Sequence, residues 1–268
     1  MTTRPPSPAG PAQPAEAAPV PAAPTASGRG PWKFWATVGF TLAIAWGCFA
    51  AALAMGFALA FAGVALRIDA FRGGRLPETL ESGLFLSLAF PLIGAVAVVL
   101  AVGFALLRRG YPLGQYFALR RPTVRQMASW TAVLVVYMAA AEVTIRLAGE
   151  PAVPDWQTKA YQTAGFLPLL VFALVVAAPL SEELVFRGFM LEGMRHSRAG
   201  PVLAVLITAG VWAAIHTQYG PLGIGTVFVM GLVLGAARLK TGSIWVPVVL
   251  HGLNNLVAVI QTAVVAGW

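Results

Sequence analysis

The feature that most constrains this chain is a series of seven apolar segments separated by polar stretches. A helix needs roughly 20 apolar residues to cross about 30 Å of hydrocarbon, and several of the segments reach or exceed that length. They predict an all-α integral membrane protein, a bundle of about seven to eight transmembrane helices. The eighth span would arise if the first segment, which is too long for one perpendicular crossing, were divided. The segments cover Phe34–Leu66, Gly83–Leu107, Met127–Leu147, Phe166–Met190, Pro201–His216, Leu222–Ala237 and Ser243–Val265.

Composition agrees with this prediction and divides the chain into three parts. Hydrophobic residues make up 58% and charged residues 10% of the 268, proportions outside the range of soluble domains. Residues 1–31 are dominated by Pro and Ala with almost no large apolar side chain, so we predict a disordered cytoplasmic tail. Residues 32–160 are predicted to form accessory transmembrane helices and loops. The polar residues suited to chemistry lie in residues 161–268.

The net charge of +8 is typical of nucleic-acid-binding proteins, but the positions of the charges indicate another partner. With seven spans, thirteen of the 18 Lys and Arg residues fall on the side of the amino terminus. Short cytoplasmic loops are enriched in these residues. We therefore expect a multi-pass protein of the cell (inner) membrane with a cytoplasmic amino terminus. Its expected partners are the lipid bilayer and a peptide or membrane-protein substrate, and not nucleic acid.

Ionisable residues inside the predicted spans are few, and each is a candidate for function because burying a charge in lipid is costly. The fourth span ends with Glu182, Glu183 and Arg187. On a helix, Glu183 and Arg187 lie four apart on one face, whereas Glu182 points about 100° away from Glu183. We expect Arg187 to neutralise Glu183, and Glu182 to project into an intramembrane polar cavity without a local counter-ion.

Two histidines and an asparagine lie in later spans. The fifth span contains Trp212 and His216, and the seventh contains His251 and Asn255 with the same spacing of four. A Gly-Pro pair predicts the turn between the fourth and fifth spans. Glu182 and His216 lie at similar distances from that turn, so antiparallel packing would bring them to the same depth. Asn255 lies one helical turn beyond His251 on the same face.

These side chains suit two kinds of hydrolytic site. A carboxylate near an apolar wall can accept a proton from water, while imidazole and carboxamide groups stabilise the oxyanion on the attacked carbonyl. The set Glu182, His216 and His251 could instead bind Zn²⁺, since one Glu and two His form a catalytic zinc site with an open position for water. The residues alone leave both readings open.

Three motifs in this order resemble those of the CPBP family of intramembrane proteases, also called the CAAX-protease or Abi family. The resemblance covers roughly Phe166 to Val265 and implies that residues 161–268 form a CPBP-like intramembrane protease core. The second motif usually begins with Phe, where this chain has Trp212, and an aromatic packing role survives that exchange. The motifs are Glu182-Glu183-x-x-x-Arg187, Trp212-x-x-x-His216 and His251-x-x-x-Asn255.

The resemblance implies a role for each motif. The first glutamate would be the general base, the histidine of the second motif its partner in activating water, and the third motif the pair that stabilises the oxyanion. We expect no required cofactor, with a divalent metal such as Zn²⁺ on Glu182, His216 and His251 as the alternative. The implied catalytic residues are Glu182, His216, His251 and Asn255, and the implied supporting residues are Glu183, Arg187 and Trp212.

The predicted function is an intramembrane endopeptidase that hydrolyses peptide bonds of membrane-associated or prenylated-like substrates. Two other classes stay open at this point. A small-solute transporter would also place carboxylates and histidines near the bilayer midplane, although it usually shows paired broken helices in repeated halves. A catalytically silent scaffold or immunity protein would keep the fold with eroded motifs. Here every motif position is filled, which favours the endopeptidase.

Overall fold

The computed structural model describes residues 30–65 and 82–267, which form helices and their connections. Within those residues there is no β-strand, so the all-α prediction is confirmed. The predicted disordered tail lies outside the described residues except for its last two positions. The helices, numbered in chain order, are α1 (Phe34–Ala65), α2 (Gly83–Leu106), α3 (Leu113–Tyr116), α4 (Val124–Leu147), α5 (Asp155–Gln162), α6 (Leu167–Arg195), α7 (Gly200–Ala214), α8 (Pro221–Thr241) and α9 (Trp245–Val265).

Each of the seven apolar segments forms a helix, and six of these helices are long and apolar enough to cross a membrane. The first segment is not divided within residues 34–65, because α1 is continuous over 32 residues. The shorter helix is α7, whose 15 residues fall short of a full crossing. It ends at Ala214, and after a short turn Pro221 occupies the start of α8, where its fixed φ favours a new helix. The chain is a multi-pass membrane protein.

The bundle is arranged around α6. In its most apolar stretch 44% of the residues are buried, against 11% in α1 and 6% in α4. The outer faces of α1 and α4 carry large apolar side chains, including Trp46, Phe57 and Val136, each at least 67% exposed. Apolar surface of this extent suits contact with lipid and not with water. The helices that pack against α6 are α1, α2, α7, α8 and α9.

Small residues let α2 approach α6 closely. A Cβ atom added at Gly94 would lie 2.7 Å from Ser181 Oγ, closer than atoms in proteins pack. Three alanines of α2, Ala97, Ala101 and Ala105, are also buried in the core. Interfaces of this kind are typical of helices in membranes, where close van der Waals packing replaces the hydrophobic effect as the source of association.

The central helix α6 is irregular on both sides of the predicted glutamate pair. Two segments of it, Ala173–Ala177 and Leu184–Met190, are π-helical, and the α-helical stretch Ala178–Glu183 lies between them. In the first segment the amide of Ala178 donates to the carbonyl of Ala173, five residues earlier. Such wide turns occur often at functional sites, because they turn side chains away from the regular helical position.

One end of the bundle, called the basic end here, contains the start of α1, the connection between α2 and α4, the connection between α6 and α7, and the connection between α8 and α9. The Trp32 indole donates to the Phe104 carbonyl at 2.8 Å, and the Ser243 hydroxyl donates to the Arg120 carbonyl at 2.6 Å. Gly242, with a φ of 64°, ends α8 in the left-handed conformation that glycine adopts without strain. These bonds join the helix ends into one surface.

Candidate active site

The three motifs meet around the indole of Trp212, which is 3% exposed between α6, α8 and α9. Gly231 of α8 makes room for the indole, because a Cβ there would lie 3.2 Å from Trp212 Cε3 and 2.9 Å from the Cβ of Ala209. A cavity of about 390 Å³ lies elsewhere, at the basic end along residues 105–113. The motif side chains therefore contact one another around an aromatic ring and do not line that cavity.

Glu182 is half-buried and bonded to the indole. Trp212 Nε1 donates to Glu182 Oε2 at 2.6 Å. The sequence predicts that Glu182 has no local counter-ion, and none of the ion pairs found among residues 30–65 and 82–267 includes it. Its partner is instead a neutral donor, which leaves the negative charge of the carboxylate uncompensated by direct contact.

His216 lies in the turn after α7, although the sequence analysis placed it inside the fifth span. The helix stops at Ala214, and the ring is half-exposed beyond its end. His216 Nδ1 lies 2.7 Å from the Trp212 carbonyl oxygen. Because a carbonyl can only accept, Nδ1 carries the proton and the neutral ring presents a lone pair at Nε2. This tautomer is the one in which His216 can accept a hydrogen bond or a proton at Nε2.

Glu183 forms the buried part of the site. Its Oε1 accepts from Arg187 Nη1 at 2.9 Å, and both side chains are 0% exposed, so the predicted pair is confirmed. The same Oε1 lies 3.0 Å from Nδ1 of His251, which is 4% exposed. The Arg187 guanidinium also donates to the Gly231 carbonyl and lies 4.5 Å from the Trp212 ring centre. Buried charges are tolerated when they are paired in this way.

Two polar atoms of this buried group have no partner among the described residues, namely Glu183 Oε2 and Arg187 Nε. Both lie in a region with no access to bulk water. Unsatisfied buried polar atoms are uncommon and cost about 1–3 kcal/mol each. The buried part of the site therefore keeps unused hydrogen-bonding capacity on the carboxylate next to His251.

Asn255 contacts α6 at the π-helical turn. Its Nδ2 donates to the Leu174 carbonyl at 2.9 Å. Ala178 donates to Ala173, and the next residue of the helix, Pro179, has no N–H with which to continue that pattern to Leu174. Asn255 thus satisfies a carbonyl that the helix leaves open, and one of its two amide hydrogens is used there. The second remains for another acceptor.

The alternative metal set is not assembled in this arrangement. Among the described residues no three His, Cys, Asp or Glu side chains form a group that could hold a metal ion. The reason is visible in the bonds above: Glu182 is turned to the indole, and His251 Nδ1 to Glu183. The residues present do not fit a three-ligand metal site, and no step below uses one. The expectation that no cofactor is required stays a prediction.

Tyr219 is a neighbour of the site that the sequence analysis missed. Its ring stacks on His216 with 6.2 Å between ring centres. Burial, and then the negative charge of Glu182, raise the pKa of Tyr219 to about 12, so its phenol is neutral at physiological pH. The spacing of three from His216 in a turn carries no helical periodicity, and no sequence signal pointed to it.

A second buried polar group was also missed, at the basic end. Glu192 is 0% exposed and bonds to Tyr111, Arg195 and Arg238. Arg238 lies one residue beyond the predicted sixth segment, Leu222–Ala237, but it is 3% exposed and lies inside α8. Glu192 falls just beyond the predicted end of the fourth span. The predicted segment ends at Met190, five residues before the helix does, which explains why the pair was not identified.

Comparisons with known proteins agree with the motifs. A family model described as type II CAAX prenyl endopeptidase Rce1-like matches residues 164–257. An uncharacterized 24.3 kDa protein of Escherichia coli is 34% identical over 126 residues, which are 44% of this chain and 58% of that protein. The uncharacterized protein YyaK of Bacillus subtilis (strain 168) is 29% identical over 113 residues, 38% of each chain. The matches thus span 58% and 38% of the lengths of these two relatives, less than two thirds of each.

No solved structure matches the chain. The segment that the family model matches begins three residues after the predicted start of the protease core, and it contains all three motifs. The resemblance that the motifs predict is confirmed there: residues 164–257 match the Rce1-like family model, which is consistent with a CPBP family protease.

Proposed function

We propose that this protein is an intramembrane endopeptidase that hydrolyses peptide bonds of membrane-associated or prenylated-like substrates. The observation that carries the proposal is the convergence of the three motifs on Trp212. Glu182 and His216 bond to its indole and its carbonyl, and the His251 ring lies edge-on to the indole with 5.2 Å between ring centres. A base, a second imidazole and a buried charged pair around one ring suit attack of water on a carbonyl.

In this proposal Glu182 is the general base. Trp212 occupies Oε2, so Oε1 is the oxygen that takes a proton from water. The lone pair on His216 Nε2 accepts a hydrogen bond from the same water and helps to orient it. The water oxygen bonds to the scissile carbonyl carbon. The C–N bond then breaks as the leaving nitrogen takes the proton from Glu182, which gives one peptide with a carboxyl end and one with an amine end.

His251 and Asn255 are proposed to stabilise the oxyanion. Since Nδ1 of His251 faces a carboxylate, only the imidazolium form presents an N–H at Nε2. In that form His251 and Arg187 together balance the negative charges of Glu182 and Glu183, and the site is neutral as a whole. The remaining amide hydrogen of Asn255 is the second donor. Donors fixed in advance in a medium of low dielectric constant stabilise a developing charge more than water does.

The basic end is proposed to face the cytoplasm. Of the described Lys and Arg residues outside the buried core, nine lie at the basic end, whereas Arg146 and Lys159 lie at the opposite end. Lys and Arg are enriched in cytoplasmic loops. A protease-protection assay on tags inserted after Gly110 and after Gly149 tests this orientation. Cleavage of the Gly110 tag from the outside of intact cells would overturn it.

The test of the peptidase function compares membranes from cells that express the wild-type protein or the Glu182→Gln variant. Mass spectrometry catalogues the new peptide termini of membrane-associated proteins in each. Gln keeps the volume of Glu and loses its basicity, so we expect a set of termini present only with the wild type. The matched control is Glu142→Gln, which changes a glutamate of the exposed Glu142–Arg146 pair and should leave that set intact.

Identical catalogues from wild type and Glu182→Gln, with both proteins folded and abundant and with the substrate pool of the native host present, would contradict the proposal. Solute uptake that depends on Glu182 in the same membranes would favour a transporter. A phenotype that survives Glu182→Gln would favour a scaffold.

A further inference from the structure

Any aromatic ring could fill the space that Trp212 occupies in the site, but only its indole provides an N–H donor. We infer that it is a positioning residue, whose indole N–H fixes the Glu182 carboxylate in the orientation that accepts a proton from water. This inference rests on the proposed endopeptidase function. It assigns to the indole N–H a task that a phenylalanine at the same position could not perform.

The hydrogen bond itself is the first argument. At 2.6 Å, the bond from Trp212 Nε1 to Glu182 Oε2 is slightly shorter than the roughly 2.7–2.9 Å that is usual for charge-assisted N–H···O bonds. The indole nitrogen is a donor only, so it bonds to an oxygen that holds no proton on that side. Because Oε2 is bonded to the indole, the carboxylate cannot rotate freely, and Oε1 remains available to accept a proton. A base held in one orientation loses less entropy when it reacts.

The indole is in turn held on all sides, which is the second argument. Arg187 lies 4.5 Å from its ring centre, and the rings of His216 and His251 approach it at 4.9 Å and 5.2 Å. Gly231 lets α8 close against it. A donor that is fixed in this way transmits its position to the atom that it bonds.

The same residue also fixes the second member of the water-activating pair, through its main chain. The Trp212 carbonyl accepts from His216 Nδ1 at 2.7 Å, which sets the tautomer of that ring. Glu182 and His216, the two groups that would contact the water, are therefore both held by hydrogen bonds to Trp212. Replacing the side chain separates these effects, because the carbonyl remains while the N–H is lost.

The experiment uses Trp212→Phe in the full chain, with Trp32→Phe as the matched control. Trp32 also donates its indole N–H to an oxygen, at 2.8 Å, and also lies under an arginine, with Arg108 at 5.1 Å from the ring centre. The control thus loses the same atoms and the same kinds of contact at the basic end. Cleavage kinetics are measured on a synthetic peptide that spans a cleavage site identified from the termini found only with the wild type.

We expect Trp212→Phe to lower kcat by about 10- to 100-fold with KM unchanged within about twofold, because the defect is one of orientation. Trp32→Phe should keep kcat within about twofold of the wild type. Equal kcat in wild type and folded Trp212→Phe would overturn the inference, and so would an equal fall in kcat for both variants. Should Trp212→Phe fail to fold, 3-benzothienylalanine at position 212 replaces the N–H by sulfur and keeps the size of the ring.

NMR spectroscopy detects the hydrogen bond between Trp212 and Glu182 independently of cleavage activity. The chain has eight tryptophans, so an ¹⁵N–¹H spectrum of the indoles shows at most eight side-chain signals. The signal that disappears in Trp212→Phe is assigned to Trp212, and it should lie at low field and move upfield in Glu182→Gln. An unchanged chemical shift of the Trp212 indole N–H in Glu182→Gln would overturn the inference. A signal that responds, in a protein without cleavage activity, would show that the proposed function fails while the bond is real.

Discussion

Glu183 and Glu192 lie on the same helix, and both are 0% exposed, yet their surroundings differ. Glu192 has both oxygens in use: Tyr111 at 2.6 Å and Arg195 Nη2 at 2.9 Å bond to Oε1, while Arg195 Nε at 2.8 Å and Arg238 at 3.2 Å bond to Oε2. Glu183 has two partners on Oε1 and none among the described residues on Oε2.

The difference separates a group that joins helix ends from the group that the proposed mechanism uses. The bonds of Glu192 join the connection after α2 to the ends of α6 and α8, and they leave no acceptor free. The bonds of Glu183 hold His251, which contacts Trp212 as the proposed base Glu182 does, and they leave one oxygen unused. A buried carboxylate with both oxygens bonded adds rigidity, although Arg238 Nε of the same group has no partner among the described residues. A buried carboxylate with an unused oxygen is the less stable arrangement and persists where it serves function.

The largest expected effect is on activity, and it distinguishes the two glutamates directly. We expect Glu183→Gln to lower kcat by about 10²- to 10⁴-fold, because an amide can turn its N–H₂ group toward Nδ1 and no longer orients His251. Glu192→Gln should keep kcat per folded molecule within about twofold. The measurement is cleavage of a defined peptide by purified protein, normalised to the folded fraction. An equal fall in kcat for Glu183→Gln and Glu192→Gln would show that the two glutamates do not differ in their importance for activity.

The next effect is on stability. Arg187→Ala should destabilise the protein by about 3–5 kcal/mol, because Glu183 would lose the cation that neutralises it in the core. Arg238→Ala should cost less, about 1–3 kcal/mol, since Arg195 and Tyr111 still bond to Glu192. Thermal unfolding in detergent compares the two variants. Normal yield and an unchanged Tm for Arg187→Ala would contradict the view that this pair neutralises a buried charge.

An effect smaller than that of Arg187→Ala is expected at Tyr111, which contributes one bond to Glu192. Tyr111→Phe should cost about 1.5–3 kcal/mol, the range for a hydrogen bond to a charged group. Burial, and then the charge of Glu192, raise the pKa of Tyr111 above its ordinary value of about 10. A raised pKa means that the contribution is complete below pH ~10 and declines only above it. The stability difference should therefore be constant between about pH 6 and pH 9; a decline within that window would contradict the assignment.

The smallest effect is expected at the exposed pair on α4. Arg146 Nε lies 2.6 Å from Glu142 Oε1, but the arginine side chain is 70% exposed. Exposed pairs contribute about 0–1 kcal/mol, so Arg146→Ala should change stability by less than about 0.5 kcal/mol. The same thermal assay measures it. A loss comparable to that of Arg187→Ala would show that burial does not decide the value of an ion pair here.

The sequence by itself determined the helical class, the positions of the seven apolar helices and the residues of the three motifs. It could do so because span length and hydropathy are local properties, and because Glu183 and Arg187 lie one turn apart on a single helix. The Arg187 pairing follows from that spacing alone. The end of α6 was placed too early, since Glu192 and Arg195 resemble loop charges when their partners are unknown.

Only the tertiary structure decided which atoms meet. His251 faces Glu183 and not Glu182, because α9 packs against the buried face of α6. Trp212 donates a hydrogen bond to Glu182 in addition to its packing role. Asn255 donates to the Leu174 carbonyl, which Pro179 cannot bond because it has no N–H. These contacts join residues 30 to 81 positions apart, and their geometry depends on π-helical turns and a glycine contact that no local pattern encodes. Spacing along a chain predicts which residues share a helical face, whereas packing between helices determines what each face contacts.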